Sequence, residues 1–261
     1  MTRTRPFFPN NKTLFWFLPA LFLAALMGCQ PLLAQDSKGQ TFFGKVYEGE
    51  HLSDEALPQP IYSVRLTVEK SPGLDRIRVT DIDKEDNPFH EQTVDLDGDM
   101  PKTFSFYNHL LDQKGSLTVT PTELRMEFTQ KGQTRSARQP RPPVFAAGPS
   151  VDRLIESHIA QLRDGKAVPF RIVVPDRLGV YSMKIRSEPP RADEPLARVK
   201  AGDWLRLRLE IDDPLFGLFA PKVLFVVEAR TGRVLRVFAP LPSPAPGKGS
   251  LNGTIRYDDS Q

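Results

Sequence analysis

Four histidines (His51, His90, His109 and His158), a single cysteine (Cys29) and several carboxylate groups are the residues of this chain with chemistry to offer. Their spacing restricts that chemistry sharply. No two histidines stand at a helical metal-ligand spacing, and neither H-E-x-x-H nor the G-x-S-x-G nucleophile turn occurs. His158 lies between Ile155 and Ile159 beside an apolar stripe, a setting that more often holds a satisfied boundary residue than a general base. Asp81, Asp83, Glu85 and Asp86 match the first half of a calcium-binding loop, since hard cations gather carboxylate oxygens. The match ends at Asp86, where such a loop needs glycine, and at Gln92, where it needs a bidentate acid. That group, Asp95-Leu96-Asp97-Gly98-Asp99, and Asp212-Asp213 before Pro214 therefore read as solvated turns. The sequence predicts no catalytic residue, no metal ligand and no cofactor, and hence a protein that is not an enzyme.

One segment offers binding in place of catalysis. Pro214-Leu215-Phe216-Gly217-Leu218-Phe219-Ala220-Pro221 is apolar, yet it is bounded by prolines and centred on glycine, so it reads as a loop. Phe216, Leu218 and Phe219 exposed there would form a costly patch unless they serve a lipid, ligand or partner. They are the candidate ligand-binding residues. The alternative is a loop folded over one open end of the domain as a plug.

Cys29 has a more specific setting. Residues 1–28 hold Arg3, Arg5 and Lys12 and no acid, then an apolar run from Leu14 to Met27, then Gly28, which is the layout of an export signal. The run is shorter than the ~20 apolar residues of a membrane span and is interrupted by Pro19. Leu26-Met27-Gly28-Cys29 resembles the lipobox of bacterial lipoproteins. The resemblance implies a diacylglycerol on the Cys29 thiol, cleavage before it, acylation of the new amino terminus and, with Gln30 following, residence at the outer membrane facing the periplasm. Two acylations suffice for stable anchoring, where one holds only marginally. A cut after Ala34 is the alternative, although Leu32 and Leu33 are bulkier than that cleavage prefers. Loss of residues 1–28 removes the formal net charge of +3, so the basic pI gives no reason to expect nucleic-acid binding. The expected partners are a membrane, reached through the N-terminal lipid, and a hydrophobic ligand or an envelope protein.

The elements that must position these residues follow from periodicity. Residues 29–40 read as a tether and 41–261 as a single β-rich domain. Alternating or β-branched runs predict strands at Thr41–Tyr47, Ile61–Glu69, Arg76–Thr80, Thr93–Leu96, Ser116–Thr120 and Glu123–Gln130. Further strands are expected at Val168–Val174, Val180–Arg186, Trp204–Ile211, Lys222–Ala229, Val234–Ala239 and Gly253–Tyr257. In Leu205 to Ile211 the alternation predicts one wet face, whereas Val223-Leu224-Phe225-Val226-Val227 predicts a strand buried on both. Thr231-Gly232 reads as a hairpin turn. Apolar residues at 151, 154, 155, 159 and 162 predict one helix over 150–163, capped by Ser150, complemented at its positive end by Asp152 and stopped by Asp164-Gly165.

This order of elements, with Phe145-Ala146-Ala147-Gly148-Pro149-Ser150-Val151-Asp152 opening the helix, resembles a group of exported bacterial β proteins and, more distantly, the LolA/LolB lipoprotein-carrier superfamily. The resemblance implies a mainly β (α+β) fold, a curved antiparallel sheet or half-barrel wrapped on one main helix, with an apolar concavity. The expected function is a lipid-anchored envelope module that binds or carries an acyl chain or other amphiphile in that concavity. The alternative is an envelope scaffold that fills the concavity with its own side chains and binds another protein.

Overall fold

The computed structural model describes residues 39–52, 57–189, 202–212, 222–245 and 250–257. A meander opens the chain, with β1 (Gln40–Glu48), β2 (Tyr62–Ser71), β3 (Leu74–Ile82), β4 (Pro88–Asp97), β5 (Met100–Asn108), β6 (Gln113–Val119), β7 (Glu123–Gln130) and β8 (Gln133–Pro140). The two-residue β9 (Phe145–Ala146) and a 3-10 turn (Gly148–Ser150) lead into α1 (Val151–Arg163). A second meander follows, with β10 (Val168–Val174), β11 (Gly179–Glu188), β12 (Trp204–Ile211), β13 (Val223–Glu228), β14 (Val234–Pro242) and β15 (Ser250–Tyr257).

β15 pairs with β1, so both meanders form one sheet of fifteen described strands with β8 and β9 at its ends. Every pairing is antiparallel except β9 with β10. The right-handed twist of strands cannot keep so wide a sheet flat. It curls until β9 lies against β5, the 175–177 turn lies against β6 and β7, and β8 approaches β11. The expected curved sheet on one helix is what forms, with the parallel β9 pairing as an addition.

α1 and its lead-in occupy the inside of the curl. Val151, Leu154, Ile155 and Leu162 are buried and Ile159 is partly so, which is the stripe the spacing predicts. Asp164 ends the helix and Gly165 takes φ +76°, its N–H donating to the Leu162 carbonyl at 3.1 Å. Ser150 departs from its expected role. Its hydroxyl accepts the Ala147 N–H at 2.8 Å and donates to the Ala147 carbonyl at 3.0 Å, so it closes the 3-10 turn and does not cap α1. At Gly148, with φ +48°, a side chain would lie 2.3 Å from the Phe104 ring and 2.8 Å from the Gln92 amide oxygen. Only glycine lets the lead-in approach β4 and β5 this closely.

β13 is buried on both faces, as its continuous apolar run predicts. Val223, Phe225 and Val227 join the inner core, while Leu224 and Val226 form an outer cluster with Leu52, Trp204, Leu235 and Phe238. The chain after β1 covers that outer face: the His51 N–H donates to Thr254 Oγ1 at 2.8 Å, and Arg236 donates to the Leu52 carbonyl at 2.7 Å. β12 corrects its expectation in part. Arg206, on the side predicted to be wet, is only 1% exposed.

Candidate functional site

The inner face of the first meander carries a polar line across an otherwise apolar wall. Asn108, His90, Asp81, Val64, Gly44 and Tyr257 stand opposite one another in succession on β5, β4, β3, β2, β1 and β15. Directly opposed residues share a face, so this register alone brings a carboxylate and an imidazole together inside the curl. His90 Nδ1 and Asp81 Oδ2 are 2.8 Å apart, and both side chains are buried. With the carboxylate ionised, the ring N–H is the donor. A side chain at Gly44 would meet the Tyr257 ring at 2.8 Å, so the missing Cβ lets that ring lie over the sheet. Tyr62, two residues before Val64 and hence on the same face, packs edge-on against Phe89 with ring centres 5.0 Å apart.

These groups sense one another electrostatically. Burial raises the Asp81 carboxyl above its ordinary pKa, and the hydrogen bond and charge of His90 pull it back. Burial also raises both tyrosine hydroxyls, with Asp81 adding to each and Asp152, from the first turn of α1, adding to Tyr257. Asp81 Oδ1, the Tyr62 and Tyr257 hydroxyls and both amide atoms of Gln92 are shielded from solvent without a hydrogen-bond partner among the described residues. Such a concentration of donors and acceptors suits buried water. The 3-10 lead-in to α1 packs over this face against β3, β4 and β5.

The acidic cluster predicts a solvated turn at Asp81 and spacing assigns His90 no role, whereas the structure places Asp81 in β3, buried against His90. The turn begins later: Asp83 Oδ1 accepts the N–H groups of Glu85 and Asn87 at 3.0 and 2.8 Å, and Asp86 takes φ 64°. Asp95 is likewise no turn residue, for it lies in β4 and binds Arg76 at 2.6 Å and Thr103 at 2.9 Å. Those contacts hold its carboxyl below the usual range despite partial burial. A parity argument would have found the buried pair, since Ile77, Val79 and Asp81 alternate onto one face, as do His90, Gln92, Val94 and Leu96.

The other histidines are held by ordinary contacts. His51 Nε2 bonds the Glu48 carbonyl at 2.7 Å, His109 bonds Glu91 at 3.1 Å, and His158 bonds the Leu154 carbonyl at 3.0 Å. Asp212 pairs with Lys184 at 3.2 Å. The outer face of β3–β7 bears a shallow hollow of about 470 Å³, lined by Arg78, Glu91, Tyr107, Lys114 and Glu127 among others. Cys29, Asp213, Phe216, Leu218 and Phe219 lie outside the described residues. Among the described residues, no helix is long and apolar enough to cross a membrane. No protein-family model matches the chain, and no curated protein matches it.

Proposed function

We propose that this is a lipid-anchored protein of the bacterial envelope that works by binding another envelope protein through its outer surface, with its concavity closed. The observation that supports this reading above the carrier reading is the placement of α1. Ile155 and Leu162 are fully buried in one core with Phe104, Leu117, Met126 and Phe145, so the helix takes up the apolar face that an acyl chain would need. The anchor rests on Cys29 and its setting. Replacing Cys29 by serine is expected to abolish acyl labelling and to leave precursor in the cell; normal processing of that variant would refute the lipobox reading.

The closed concavity has its own test. Native mass spectrometry of the Cys29→Ser protein, purified from membranes in mild detergent, is expected to show the bare polypeptide mass. Uptake of a fluorescent fatty acid is expected to stay at background. A co-purifying amphiphile lost on replacing Phe216 and Phe219 by serine would restore the carrier reading, with those residues at its entrance.

A further inference from the structure

The two ends of the sheet are finished differently. β9 is two residues long and both are buried. β8 runs for eight residues, is paired on one side only and is exposed over most of its length. A long exposed edge presents unpaired N–H and C=O groups to any strand that can approach.

Register decides which groups those are. Lys131 and Gly132 both have positive φ, 49° and 75°, as a two-residue type I′ hairpin requires, and Gln130 stands opposite Gln133. The residues flanking such a turn exchange hydrogen bonds, and pairs then alternate along the ladder. Arg135, Ala137 and Gln139 therefore bond back to β7, opposite Phe128, Met126 and Leu124. Thr134, Ser136 and Arg138, opposite Thr129, Glu127 and Arg125, aim their backbone N–H and C=O groups at the free edge. The 2.8 Å contact between the hydroxyls of Thr129 and Thr134 fits the closer side chains of a pair of that kind.

Charge narrows the partner. From Lys131 to Ser150 the chain carries Lys131, Arg135, Arg138 and Arg141 and no carboxylate. The Arg135 guanidinium lies over the Phe128 ring at 5.4 Å and that of Arg141 over Phe145 at 6.0 Å, so two of the cations are held beside the edge by aromatic rings. The nearest opposing charges are Glu127 and Glu123 on β7, the latter bonded to Arg125 at 2.6 Å, and Asp176, which acts on Arg135 from the 175–177 turn. Two copies of this edge would crowd their arginines along one seam with no carboxylate from β8 between them, which disfavours self-pairing. We infer that β8 is a docking edge for an extended acidic segment of a partner protein, which adds as a further strand on Thr134, Ser136 and Arg138 and is selected by Arg135, Arg138 and Arg141. This deepens the interaction reading by giving the partner's chemistry; it stands or falls on peptide binding, whereas that reading is decided by lipid retention.

The probe is a fluorescein-labelled ten-residue peptide of alternating Glu and Val, titrated with the full chain at low salt. Saturable binding is expected, weakened at least tenfold by 0.5 M salt and by Arg135→Glu/Arg138→Glu, with no binding of a Lys-Val peptide. Ser136→Pro deletes one outward N–H and no bond to β7, so it is expected to weaken binding at least tenfold with an unchanged thermal midpoint. Thr134→Pro provides the same test should Ser136→Pro unfold. In NMR spectra the amides of Thr134, Ser136 and Arg138 are expected to shift on titration. Equal binding by the proline variants, or by an unstructured poly-Glu peptide, would show attraction by charge alone and overturn the edge site. No binding of the Glu-Val peptide would overturn it as well, and would leave the arginines as guards against edge pairing.

Discussion

From β2 to β7 the inner face is buried and the outer face is wet, whereas β13 and β14 are covered on both sides. Each half nevertheless encloses a polar side chain bonded to a carboxylate. The first meander holds Asp81 with His90 on the inside of the curl, and the second holds Arg206 with Glu188 and Glu50 on the outside, where the chain after β1 crosses it. Burial in this protein is thus set by which connection lies over a face as much as by the face itself. The same arginine–carboxylate chemistry is enclosed at Arg206 and half-exposed at Arg76, whose side chain is 42% accessible beside Asp95.

The largest effects should come from the two enclosed pairs. Arg206→Ala removes a buried cation from Glu188 and is expected to cost about 3–5 kcal/mol of unfolding free energy in urea titrations. His90→Leu is expected to cost a similar ~3–5 kcal/mol near neutral pH, because it strands the Asp81 carboxylate, and the double change with Asp81→Leu should recover most of the loss. Acid should partly rescue the single variant. The folded-state pKa of Asp81 is already raised, and losing His90 raises it further, so the penalty grows as pH climbs above the unfolded carboxyl value and shrinks on acidification. Equal costs at pH 5 and pH 8 would contradict this account of the pair.

Where the two halves approach each other, Asp176 in the 175–177 turn packs against β6 and β7. Burial moves its pKa from 3.8 to about 6. The unfolded chain therefore loses this proton first as pH rises, and stability should fall by about 3 kcal/mol between roughly pH 4 and 6 and then level off. Asp176→Asn is expected to remove that step from a series of urea midpoints measured across the range. The smallest effect is the one that sharpens the comparison. Arg76→Ala, on the wet outer face, is expected to cost only about 0.2–1 kcal/mol, less still in high salt, and a loss as large as that of Arg206→Ala would erase the distinction between the halves.

Much of the fold was legible because it rests on short-range period. The α1 stripe, its stop at Asp164-Gly165, the two-sided burial of β13 and the break at Thr231-Gly232 all follow from residue spacing and hold in the structure. β5 and β8 went unread for opposite reasons. Met100-Pro101-Lys102 blurs the start of the β5 alternation, and β8 has almost no apolar residues, so pairing with β7 alone makes it a strand. At Arg206 the expectation fails because a charged side chain on an alternating strand ordinarily faces water, and at Asp81 because an acidic cluster with Asp83, Glu85 and Asp86 ordinarily forms a solvated turn. What reverses that at Arg206 is a crossing connection from a distant part of the chain, and at Asp81 the packing of the 3-10 lead-in onto β3 and β4, and local spacing encodes neither contact. The polar line across β5, β4, β3, β2, β1 and β15 depends on five registers at once and could be seen only once the sheet was assembled.

The closed concavity depends most on α1 as its permanent filling. Hydrogen exchange of the α1 amides, followed with and without a molar excess of a fluorescent fatty acid in detergent below its critical concentration, addresses that directly. Leu154, Ile155 and Ile159 should exchange only as slowly as global unfolding allows, with no change on adding the lipid. Faster exchange of these amides when the acyl chain is present would show the helix giving way to a ligand, and would contradict the claim that the protein keeps its concavity closed.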